Sequence, residues 1–171
     1  MRIVLIALIL LAGRLNAQTM QTETATIMIN GDIEKVFPLF GAYEERKWAK
    51  GWEPTPVYPS TETIEEGTTF RTPGHLPGEN EYIWRVSKYD IRNHLVQYMV
   101  DAPDRCWTIT VQCAPVEGPT AAAEGRTAAT ISYAFVALNP AGEEKNKHSL
   151  HLLFQHQLKD WQEEINAYLS K

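Results

Sequence analysis

Between Lys145 and Leu169 the apolar residues Leu150, Leu153, Phe154, Leu158, Trp161, Ile165, Tyr168 and Leu169 recur every three or four positions and draw a single stripe. That spacing predicts a long amphipathic helix, and such a stripe must be covered by another apolar surface. The only face of matching size in the chain is the aromatic one of the segments that alternate with a period of two, so the partner is a sheet.

Six segments carry that alternation: ETATIMI at 23–29, TTFRT at 68–72, NEYIWRVSKYD at 80–90, NHLVQYMVD at 93–101, RCWTITVQC at 105–113 and RTAATISYAFVALN at 126–139. Short polar or Gly/Pro-containing turns separate them, which favours antiparallel neighbours. Tyr82, Trp84 and Val86 share one strand face while Glu81 and Arg85 share the other, and Trp107, Ile109 and Val111 alternate with Thr108, Thr110 and Gln112. One face of the sheet is therefore dry and aromatic, the other wet. A sheet wrapped around a terminal helix follows, with space left between them. PVEGPTAAAEGR at 115–126 is a low-complexity stretch and reads as a hairpin loop.

Near the first strand, Asp32 is placed as the N-cap of a helix that carries Val36 and Phe37, with Glu34 in its first turn. Pro38 denies that helix a clean continuation. The following stretch, FPLFGAYEERKWAKGWEP at 37–54, mixes two Phe, one Tyr and two Trp with six charges. Buried segments shed charge and solvent loops shed tryptophan, so this one is half buried. It reads as the rim of a hydrophobic cavity, with its rings turned inward and Glu44, Arg46, Lys47 and Lys50 in water.

Residues 1–17 read as a secretory signal: a basic start at Arg2, an apolar run over 3–13 and a small-residue exit at 15–17. An uncleaved anchor is the alternative, though eleven apolar residues span a bilayer poorly. Residues 18–171 then form one domain, expected in the periplasm or secreted, with no stable membrane insertion after cleavage. Losing Arg2 and Arg14, and no acid, moves the formal net charge from −5 to −7. That surface repels nucleic acid and anionic lipid. Cys106 and Cys113 lie seven residues apart on one predicted strand, about 23 Å, whereas a disulfide needs Cα atoms within about 7 Å. No intrachain bridge is expected.

The order of elements, with the local motifs IMINGDIEKVFPLF, EERKWAKGWEP followed by VYP, EYIWRVSKYDIRNHLVQY and FQHQLKDWQEEINAYL, resembles the SRPBCC superfamily over residues 23–170. START lipid-transfer domains, birch-pollen-type allergens and polyketide cyclase-like proteins share its helix-grip fold, and together the motifs resemble a bacterial branch whose members mostly lack an assigned reaction. The resemblance implies an α+β fold: a curved seven-stranded antiparallel sheet around a long C-terminal helix, two short helices after strand one, and a cavity between sheet and helix. It implies no universal catalytic residue and no cofactor, and fold alone does not assign chemistry.

Trp48, Trp52, Tyr82, Trp84, Trp107, Tyr133 and Phe135 are the candidate ligand contacts, since rings with one polar handle suit an apolar cavity. Each could equally be ordinary core. Glu45, Trp48 and Trp52 share one face if the helix persists that far, giving an acid and two indoles at the rim, or else a packing anchor. Glu45 and His75 are the candidate proton-transfer residues. His148 and His151, one turn apart, and His156 fit a polar helix face better than a metal site, because zinc needs three or four converging ligands. Asp90 and Arg92, and Asp101, Asp104 and Arg105, are explained by turn chemistry. The expected partner is a small hydrophobic or amphipathic molecule (lipid, sterol-like or polyketide-like); a cyclase or dehydratase using the same cavity is the alternative.

Overall fold

The computed structural model describes residues 20–118 and 125–171. The signal-like residues 1–17 lie outside the described residues, as does the middle of the 115–126 loop. Strand β1 (Gln21–Ile29) leads into α1 (Ile33–Val36), which tightens at once into a 3-10 turn at Phe37–Phe40 with Pro38 near its start; a second 3-10 turn spans Glu44–Lys47. Asp32 occupies the N-cap position, but its backbone carbonyl alone serves the helix, accepting from Lys35 and Val36 at 2.9 and 3.0 Å. Its side chain makes no capping bond, contrary to expectation.

Strands β2 (Thr55–Tyr58), β3 (Thr69–Pro73), β4 (Glu81–Asp90), β5 (Leu95–Asp101), β6 (Arg105–Pro115) and β7 (Thr127–Ala137) complete a seven-stranded antiparallel sheet in the order β1-β7-β6-β5-β4-β3-β2. The residue pattern reveals six of these strands. β2, the seventh, has only four residues and contains Pro56, so alternation could not expose it. The 115–126 segment joins the β6–β7 hairpin as expected, the ladder running out to Pro115 opposite Thr127. A register shift between Val86 and Lys88 adds bend and twist in the middle of the sheet.

The closing helix runs over 140–169, starting five residues before the apolar stripe: α2 (Pro140–Leu152), one π-helical turn (Leu153–Gln157) and α3 (Leu158–Leu169). Asn139 is its N-cap, accepting from the Gly142 N–H at 3.0 Å, with Pro140 in the first turn where its missing N–H costs nothing. Gly142 is required there, because a Cβ would lie 2.0 Å from the Asp104 carbonyl oxygen. The core packs between sheet and helices and includes Val36, Phe40, Phe70, Val86, Val100, Ile131 and Ile165, all fully buried. On the β1 edge the closing helix supplies the missing partners: the Met28 N–H donates to Gln162 Oε1 at 2.8 Å and the Asn30 N–H to Asn166 Oδ1 at 2.7 Å. Both cysteines are free and sit on β6, as their spacing predicts.

Candidate functional site

Antiparallel register stacks the aromatic residues into rows on the helix-facing side of the sheet. Phe70, Trp84, Val100, Trp107 and Phe135 lie opposite one another across β3 to β7, and Val86, Tyr98, Ile109 and Tyr133 form the next row. The rings meet in offset and edge-on pairs: Trp107 stacks on Phe135 at 5.4 Å, and Tyr82 meets Trp107 edge-on at 5.1 Å. Above them the closing helix presents Ser149, Leu153, Gln157 and Trp161, and rings and helix do not fill the space between them. A cavity of about 510 Å³ remains, bounded by Trp52, Tyr82, Trp84, Arg105, Trp107, Tyr133 and Phe135 on one side and those helix residues on the other.

The helical layer closes one end. Trp48 Nε1 donates to the Leu39 carbonyl at 2.7 Å and Trp52 Nε1 to the Ala42 carbonyl at 2.5 Å, so both indoles are fixed in orientation. Trp48 meets Trp161 of the closing helix edge-on at 5.7 Å, and Trp52 meets Trp84 edge-on at 5.2 Å. The 3-10 turn ends at Lys47, before either tryptophan, so no continuous helical face links them to Glu45. All three nevertheless converge on an inner chamber of about 100 Å³, adjoining the cavity and shared with Tyr98, Ile109, Val111, Tyr133 and Trp161. Of the segment's rings, Trp48 and Trp52 line the chamber while packing against Trp161 and Trp84, and Phe37, Phe40 and Tyr43 belong to the buried core.

Within that chamber the Glu45 carboxyl makes no hydrogen bond or ion pair with a described residue, and burial lifts it well above the ordinary carboxylate range. The residue keeps partial accessible surface. Glu45 lines the chamber, and the density of protein around its carboxyl governs the solvation of that group. Tyr133, 4% exposed, has its phenol raised too, first by burial and then by the nearby Glu45 charge. Its hydroxyl has no described partner either.

At the opposite end lies a polar group that the sequence reading missed. Arg105, assigned above to turn chemistry, is 2% exposed and forms a bidentate pair with Glu79 at 2.9 and 3.0 Å. Its third nitrogen donates to Ser149 Oγ at 2.6 Å and to the Lys145 carbonyl at 3.2 Å, and its guanidinium lies 4.8 Å from the Trp107 ring centroid. Burial pushes the Glu79 carboxyl up, but the Tyr82 and Arg105 hydrogen bonds and the Arg105 and Lys145 charges outweigh it, and the net direction is down. Asp104 does remain on the surface, pairing with Lys145 at 2.7 Å. Strand parity is the signal that finds Arg105: positions 105, 107, 109, 111 and 113 all face the core. No comparable signal marks Glu79, which sits on an irregular loop.

The two proton-transfer candidates are not brought together. Glu45 lines the inner chamber, whereas His75 is exposed and lines the outer mouth, its ring edge-on to Tyr82 at 5.7 Å. His148 also lines that mouth. Among the described residues no group of three or more His, Cys, Asp or Glu is placed to hold a metal ion, and no helix is long and apolar enough to cross a membrane.

No protein-family model matches the chain, and no curated protein sequence does. Solved structures do match. Norcoclaurine synthase from Thalictrum flavum, in complex with dopamine and hydroxybenzaldehyde, superposes with a TM-score of 0.65 at 11% identity, covering 99% of this chain and 96% of that one. Ara h 8.0201 gives 0.60 at 12% identity, over 90% and 100% of the two chains. This is the helix-grip fold. An uncharacterised protein from Rhizobium leguminosarum shares it with a TM-score of 0.54 at 14% identity, over 90% and 97%. At these identities the likeness is one of fold, and the helix-grip cavity described above has to be read from its own residues.

Proposed function

We propose that the protein binds a small hydrophobic or amphipathic molecule, lipid, sterol-like or polyketide-like, in the cavity between sheet and closing helix. The observation that carries this reading is the unfilled space of about 510 Å³ behind aromatic walls, within the size range of small-molecule sites. Burying apolar ligand area there contributes about 25 cal/mol per Å². Trp48, Trp52, Tyr82, Trp84, Trp107, Tyr133 and Phe135 are the contacts assigned in this reading. Dopamine and hydroxybenzaldehyde, bound to the Thalictrum flavum enzyme, are small aromatic molecules of a size this cavity accommodates. The signal-like residues 1–17 support an exported protein, and the quoted motifs support placement in a bacterial branch of the SRPBCC superfamily. Gently purified protein is expected to carry a copurifying small molecule in native mass spectra and to take up fluorescent lipids. Bare polypeptide together with no uptake overturns the reading.

A second reading, a cyclase- or dehydratase-like enzyme, is favoured by one observation: Glu45, its carboxyl desolvated, shares the inner chamber with Tyr133, two groups able to give or take a proton within an apolar site. It requires that Glu45→Gln abolish turnover of a polyketide-like substrate while ligand uptake persists. Equal turnover in the variant rejects it.

A further inference from the structure

The polar handles of the inner chamber are almost all tied off. Trp48, Trp52 and Tyr98 donate to the Leu39, Ala42 and Phe40 carbonyls, and Trp84 Nε1 donates to Thr72 Oγ1 at 2.9 Å. What these residues present inward is ring surface. Left without a described partner are the Glu45 carboxyl and the Tyr133 hydroxyl, with the half-buried Trp161 indole closing the outer wall against Trp48. An acid enclosed by indole and phenol rings, with no basic residue in the chamber, is a site whose missing component is a positive charge.

Resting on the ligand-binding reading above, we infer that the inner chamber receives the cationic head of an amine or quaternary ammonium ligand whose apolar body lies in the larger cavity. Ring faces attract a cation, more strongly once it is desolvated. A neutral head leaves the carboxyl buried and unpaired, and an anionic head adds repulsion. The larger cavity agrees in sign: Arg105 is neutralised by Glu79, leaving Asp160 and Glu164 against Lys50. Cation binding is coupled to a proton. The titratable groups that share the chamber with Glu45 are Tyr98 from β5 and Tyr133 from β7, both phenols with raised values, while Lys50, Asp160 and Glu164 line the outer cavity. Glu45 is the one whose free value is lifted from the acid range. A bound cation lowers it again. Below the free carboxyl's titration, binding therefore expels a proton, and affinity rises with pH until that titration is complete.

The test titrates the full chain, by tryptophan fluorescence, with phenyltrimethylammonium and with its neutral carbon isostere tert-butylbenzene. The cation is expected to bind about tenfold or more tighter, with proton release seen by calorimetry in buffers of different ionisation enthalpy. Glu45→Gln is expected to abolish both the preference and the proton release while keeping tert-butylbenzene affinity, and Glu45→Asp to retain part of the preference. Equal or tighter binding of the neutral probe by the wild type, a preference that survives Glu45→Gln, or uptake of a hydrophobic dye with neither probe bound each overturns the cation inference alone. No uptake of dye or probe overturns the ligand-binding reading beneath it. Should Glu45→Gln fail to fold, wild-type preference and proton release decide the matter.

Discussion

Replacing Arg105 by Met keeps much of the side chain's volume and removes its charge. Glu79, with no accessible side-chain surface, then loses two charge-assisted hydrogen bonds and keeps Tyr82 and the Lys145 ammonium at 3.5 Å. Removing one partner of a buried pair costs about 3–5 kcal/mol. The Tyr82 hydroxyl and the Lys145 ammonium remain beside Glu79, so the low end applies, about 3 kcal/mol. For a chain of this size that lowers the melting temperature by about 6–12 °C. Differential scanning calorimetry at pH 7 measures it, and Arg105→Met/Glu79→Leu should regain most of the loss, since neither charge is then stranded. The sign with pH follows from the depressed Glu79 value: its contribution is complete above the ordinary carboxylate range and is lost as pH falls through its lower folded value. Wild-type stability should therefore decline in acid more steeply than that of Arg105→Met. A single variant melting within about 2 °C of wild type, or a double variant no better than the single, refutes the assignment of Arg105 and Glu79 as a stabilising clamp.

Glu45 gives the opposite pH dependence. Its folded value lies above the unfolded one, so its contribution to stability is complete at low pH and is lost as pH rises from the ordinary carboxylate range through the raised value; Glu45→Gln should flatten that loss in urea titrations between pH 4 and 9. Gly142→Ala brings a methyl group to 2.0 Å from the Asp104 carbonyl oxygen and should cost about 3 kcal/mol or more, read from the denaturation midpoint. Asn139→Ala removes the helix cap and should cost about 1 kcal/mol, with Asn139→Ser restoring most of it.

Periodicity carried the architecture because the two elements that define it are long. The closing helix shows a stripe of eight apolar residues, β6 and β7, eleven residues each, alternate along most of their length, and β4 keeps one parity from Tyr82 to Val86, ahead of its register shift. β2 escaped because four residues with one proline hold no period. The helix start escaped because only Gly142, Asn146 and Leu150 of α2 are buried, and two of those three are not apolar. At the site, strand parity placed Tyr82, Trp84, Trp107, Tyr133 and Phe135 on the cavity wall. The Glu45, Trp48 and Trp52 cluster forms by a different route from the helical face considered for it, through a 3-10 turn and a bend at Gly51, whose φ is +80°. The Arg105–Glu79 pair depends on a loop folding over a strand end, a contact 26 positions apart that local pattern cannot encode.

The amides of Gln162 and Asn166 make the last helix, in hydrogen-bonding terms, a partial eighth strand. Open sheets invite foreign chains to extend them, and here one rim is occupied from within by the molecule's own C-terminal segment. The other rim is β2, short, interrupted by a register shift and containing Pro56. A protein that keeps a hollow behind so much aromatic surface thus has one margin capped at Met28 and Asn30 and the other broken, which leaves less free edge for templating into fibres.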